Sequence, residues 1–83
     1  MTQAIKCHPP FFAAIVSGEK TFEVRRNDRN YKTGDKLLIQ EYHPDNGYTG
    51  KEWEGTITYL LDHPDYCKKG FVIFGIKERE PNY

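Results

Sequence analysis

Pro10-Phe11-Phe12-Ala13-Ala14-Ile15-Val16-Ser17-Gly18-Glu19-Lys20-Thr21-Phe22-Glu23-Val24-Arg25 changes its period halfway along. In the first half, Phe12, Ile15 and Val16 fall at i, i+3 and i+4, one face of a short helix. Pro9-Pro10 suits an opening turn, where the missing N–H of proline would be unpaired anyway. Gly18 suits the position beyond the helix end, which takes a left-handed conformation. The spacing predicts a helix over residues 10–17. From Thr21 the pattern reads as a strand, whose side chains alternate between faces. Phe22 and Val24 are expected in a core, with Thr21, Glu23 and Arg25 on the other side and Lys20 at the bend. An ammonium, a carboxylate and a guanidinium thus converge on one end of a small domain.

Further strands follow. Turn-formers fill Asn27-Asp28-Arg29-Asn30 and Thr33-Gly34-Asp35. Residues 36–42 then alternate, with Leu37 and Ile39 on one face. Glu41 continues that apolar face, where a carboxylate is costly unless a cation meets it, and Arg25 or Lys20 is the expected partner. Asn46-Gly47 is a hairpin signal, so residues 53–61 read as the returning strand. Residues 71–76 form a last, almost wholly apolar strand, and residues 4–7 a first one. Trp53 and the Phe71 to Phe74 run are expected in the core. The pattern is mainly β with one or two short helices, an α+β chain. Such short strands in so few residues favour a small, partly closed barrel over an open sheet.

The chain has 83 residues, 37% hydrophobic, 14% aromatic and 29% charged. That composition suits one folded domain over residues 1–83. No apolar run approaches the roughly 20 residues that span a bilayer, and the first residues lack the apolar core of a secretory signal. The expectation is a cytoplasmic protein, monomeric, with no membrane partner. Cys7 and Cys67 then stay as thiols. Cys7-His8 and His63-x-x-x-Cys67 match no zinc-site spacing, so neither a metal nor a cofactor is expected.

The net charge of zero hides an asymmetry. Residues 1–32 hold six bases against three acids, whereas residues 33–83 hold six against nine. Local potential, rather than total charge, selects partners. Arg26, Arg29 and Lys32 interleave with Tyr31, and Tyr42 and Tyr48 follow. Cations meet phosphates and aromatic faces stack on unpaired bases, a combination that suits single-stranded RNA. His8, beside Pro9, is a candidate cleft base because imidazole titrates near neutrality.

Gly18-x-Lys20-x-x-Glu23-x-Arg25 followed by Gly34-Asp35-x-Leu37 resembles the signature of ASCH domains, in the PUA-like superfamily. The likeness is strongest to a bacterial and phage branch of small single-domain proteins. It runs through His8-Pro9, residues 11–15, Arg25-x-x-Asp28-Arg29, Glu41-Tyr42 and residues 72–76. The resemblance implies a PUA-like β-barrel with a short helix beside a cleft lined by the Gly-x-Lys-x-x-Glu-x-Arg residues. It also implies an association with RNA. Some ASCH proteins are hydrolases of acylated nucleosides or of RNA. One branch pairs a Lys with a Thr nucleophile three residues later and a distant Glu; here Lys20 matches the Lys, but Glu23 holds the Thr position.

The expected function is therefore binding of single-stranded RNA or a nucleotide-like small molecule. Lys20 and Arg25 would hold an anionic or carbonyl group, and Glu23 would accept from base or sugar donors. Arg29 and Lys32 would steer phosphates, with His8 and Arg26 completing the ligand-binding set and Glu41 behind it. The alternatives are a hydrolase with Lys20 and Glu23 as acid and base, and a protein-interaction module.

Overall fold

The computed structural model describes residues 2–80. Met1 and residues 81–83, the ends of the expected domain, lie outside the described residues. The elements are β1 (Thr2–Cys7), α1 (Pro9–Ser17), β2 (Phe22–Arg26), β3 (Lys36–His43), β4 (Gly47–Leu61) and β5 (Phe71–Glu78). All five strands join one sheet in the order β1-β3-β4-β5-β2. β1 runs parallel to β3, and the other neighbours are antiparallel. The fold is mainly β with one short helix, as expected.

Helix α1 begins at Pro9, one residue before the expected start. It ends where Gly18 adopts φ 85° and its N–H reaches the Ile15 carbonyl. Phe12 and Ile15 are buried, but Val16 is exposed, so the apolar stripe is narrower than the spacing implied. The buried pair lies against β3 and joins Ile5, Leu37, Ile39, Ile57, Val72 and Phe74 in the core. Register breaks between Gln40 and Tyr42 and between Ile57 and Tyr59 bend the long strands. The sheet thereby curls around its own core and the helix.

The curl brings the two edge strands, β1 and β2, face to face without pairing them. Side chains bridge the seam instead. Arg25 Nη1 donates to the Lys6 carbonyl at 3.0 Å, and Arg29 Nη1 donates to the Ala4 carbonyl. Gln3 Nε2 returns a bond to the Arg29 carbonyl at 3.3 Å. The result is a half-barrel closed by arginines rather than by a ladder.

The alternation of β2 is opposite in phase to the expected one. Phe22 and Val24 are exposed, while Glu23 is buried. Opposed residues in an antiparallel ladder share a face. Glu23 pairs with Phe74 and Arg25 with Val72, so the charged residues take the concave face. Two cations beside Glu23 make its burial tolerable, and among the described residues no further strand covers the outer side of this edge. Tyr31 also departs from expectation: it is buried with its ring 5.1 Å from that of Phe74, which removes it from any stacking surface.

Candidate functional site

A concavity of about 330 Å³ opens at the seam, where the end of β1, the first turn of α1 and the start of β2 meet. Glu23 lines it, its side chain only 5% exposed. Lys20 Nζ contacts Glu23 Oε1 directly, and Arg25 Nη1 lies 3.6 Å from Oε2. An ionised carboxylate offers about four lone-pair positions. Two cations leave acceptor capacity for a third partner.

Two rings flank the Lys20 ammonium. Lys20 Nζ lies 5.2 Å from the centre of the Phe22 ring and 5.9 Å from that of Phe11. Both rings line the concavity and are largely exposed. His8 caps α1 with extended backbone and no side-chain capping bond, and it too lines the site. Pro9 and Pro10 have no N–H, and the Phe12 N–H bonds the His8 carbonyl at 2.9 Å. Helix geometry therefore leaves Phe11 as the one first-turn residue whose N–H has no helical acceptor.

Cys7 ends β1 in the wall of the concavity. Burial pushes its thiol up to about 11, with the Glu23 charge adding to the rise and Lys20 and Arg25 opposing it. At neutral pH it is a neutral thiol, not a thiolate nucleophile.

Of the residues expected in the site, His8, Lys20, Glu23 and Arg25 come together here; Arg26, Arg29 and Lys32 do not line the concavity. Arg26 lies on the outer face, its Cζ 5.0 Å from the Phe71 ring. Arg29 is held by the Ala4 carbonyl. Lys32 is exposed in the loop after β2, where its backbone N–H donates to Asp35 Oδ2 at 3.1 Å. Glu41 is buried as foreseen, but its partner is not a cation: Thr49 Oγ1 donates to Glu41 Oε1 at 2.7 Å. A hydroxyl from the hairpin strand does what the sequence pattern assigned to Arg25 or Lys20.

Phe11, Phe22 and Cys7 were not foreseen as site residues. The signal for Phe22 lay in β2 itself. Reading Glu23 inward, between two cations, turns Phe22 outward to the rim.

Among the described residues no group of His, Cys, Asp and Glu is arranged to hold a metal ion, and no helix is long and apolar enough to cross a membrane. The chain is 36% identical over 64 residues to an "Uncharacterized 12.9 kDa protein in GpA 3'region" of Escherichia phage P2. The match covers 77% of this chain but 58% of the phage protein's length. The family described as "Domain of unknown function (DUF3850)" matches residues 2–76, from β1 through most of β5, and so contains the whole seam and its concavity. The chain belongs to the DUF3850 family.

Proposed function

We propose that the concavity binds one unpaired nucleotide, as part of single-stranded RNA or as a nucleotide-like small molecule. The observation that carries this reading is Glu23, a buried carboxylate with acceptor capacity to spare, in a concavity that two exposed rings also line. A base is flat and carries N–H donors on its edge. Phe11 and Phe22 offer faces to stack on, and Glu23 accepts from the edge. Lys20 and Arg25 pair with the carboxylate and meet phosphate or carbonyl oxygens. The likeness of Gly-x-Lys-x-x-Glu-x-Arg to the ASCH signature supports the same reading. We also propose a cytoplasmic location, where Cys7 and Cys67 would stay reduced.

Titration of labelled single-stranded RNA, read by fluorescence anisotropy at two salt concentrations, tests it. Affinity should fall with salt because phosphate contacts release counterions, and Glu23→Gln should weaken binding of some bases more than others. A folded protein that binds neither RNA nor mononucleotides would refute the proposal.

The direct Lys20–Glu23 contact favours one second reading, a hydrolase using the pair as acid and base. Turnover of acylated nucleosides or RNA, abolished in Lys20→Ala with the fold intact, would establish it. Absence of both binding and turnover would favour a protein-interaction module.

A further inference from the structure

The outward face of β2 continues beyond the concavity. In register, Phe22 lies beside Gly75 of β5, and Gly75 beside Tyr59 of β4. The next row is Val24, Ile73 and Leu61; the third sets Arg26 beside Phe71. Phe22, Val24 and Tyr59 are 47%, 52% and 67% exposed. Phe22 and Tyr59 stand about 9–10 Å apart across two strand spacings. Gly75 has no side chain, and the exposed Thr58, at the register break, fills the space above it, since a Cβ built on Gly75 would lie 2.7 Å from Thr58 Oγ1.

Cations border these rows. Lys20 stands over Phe22, and Arg26 and Lys68 lie 5.0 and 5.5 Å from the Phe71 ring centre. None of the row positions is a carboxylate. The other half of the same outward face is of mixed charge, with Glu52 and Glu54 registered among Lys6, Lys36 and Lys77 and Arg79 paired to Glu54. Exposed rings in rows without a carboxylate mark the half nearer β2.

We infer that the aromatic half, running from Phe22 to Tyr59 and Phe71, is a stacking platform for the nucleotides that neighbour the one held in the concavity. This rests on the nucleotide reading above, since Phe22 and Val24 belong both to the platform and to the concavity's rim. The exposed Phe22 and Tyr59 and the half-buried Phe71, bordered by cations and with no carboxylate in their rows, are what a flexible polyanion with flat bases requires. A second copy of the chain would bring like cations against like. Its unpaired apolar area alone does not select a partner; the charge does.

Isothermal titration with uridine monophosphate and with an oligouridylate of about ten nucleotides, near the site size of small single-strand binders, tests the inference. The oligomer should bind more tightly than the monophosphate. Tyr59→Ala should weaken the oligomer roughly tenfold, the scale of one lost stacking contact, and leave the monophosphate unchanged. Arg26→Gln should reduce the slope of log affinity against log salt by about one. If Tyr59→Ala and Arg26→Gln leave the oligomer unaffected while Glu23→Gln weakens the monophosphate, the platform is refuted and the concavity stands. If folded wild type binds neither ligand, both fall. A dimer in sedimentation that Tyr59→Ala dissolves would overturn the inference by identifying the occupant as a second copy.

Discussion

Replacing Gly55 with Ala should destabilise the domain severely. Gly55 is buried in β4 beside Trp53. A Cβ on it would lie 2.2 Å from Trp53 Cη2 and 2.3 Å from the Lys77 carbonyl oxygen, where ordinary contacts between heavy atoms are about 3.5–4.0 Å. More than an ångström must be found, and there are two ways to find it. Swinging the indole outward returns much of its buried surface to water; for about 150–250 Å² at 25 cal/mol per Å² the full loss is about 4–6 kcal/mol. Even so, the Lys77 oxygen remains too close. Prising β5 from β4 disturbs the ladder at Thr56 and Lys77, at about 0.5–1.5 kcal/mol for each bond. A compromise should cost about 3–5 kcal/mol, against a total near 4–12 kcal/mol for a chain of this length. Urea denaturation followed by the single tryptophan and by far-ultraviolet circular dichroism measures the change directly. Trp53→Leu in the Gly55→Ala background should recover only part of it, because the backbone clash persists. A loss below about 1 kcal/mol with unaltered Trp53 emission would refute the packing argument.

Two other outcomes follow from individual side chains. In a Cys67→Ser background, alkylation of Cys7 should rise about tenfold per pH unit from pH 8 to 10, because its pKa near 11 leaves little thiolate below that range; a rate that levels off by pH 9 would place the thiol in a more open setting. Thr49→Val should cost about 1–3 kcal/mol in urea denaturation, the scale of a buried acceptor losing its donor, and a neutral substitution would show that Glu41 has other support.

Local signals carried much of this fold. The Pro9-Pro10 opening and Gly18 bracketed α1 to within one residue because capping depends on neighbours in the chain. The strands appeared near their expected places, although β4 starts at Gly47 rather than at residue 53, since the hairpin continues straight into it. The phase of β2 was not legible, because alternation shows two faces and not which one is inward. Deciding that needs the partner strand, and Phe74 lies about fifty residues away in sequence. The donor for Glu41 is Thr49, only eight residues on, but the hairpin register that brings the two together is not written in the local pattern. For the site, Lys20, Glu23, Arg25 and His8 could be read locally, whereas Arg29 spends its guanidinium on a strand that only the curl of the sheet brings near.

That last contact bears on how the chain behaves in a crowded solution. Unpaired carbonyls along a strand edge are a template on which another chain can add a strand. Two such edges exist here, and each faces the other across a gap too wide for a ladder. Guanidinium groups occupy the Ala4 and Lys6 carbonyls, which would otherwise be the acceptors offered to an incoming strand. The arginines of β2 and of the loop after it therefore block two acceptors that a strand adding to β1 would need, without sealing the seam, so the concavity stays open beside a guarded edge.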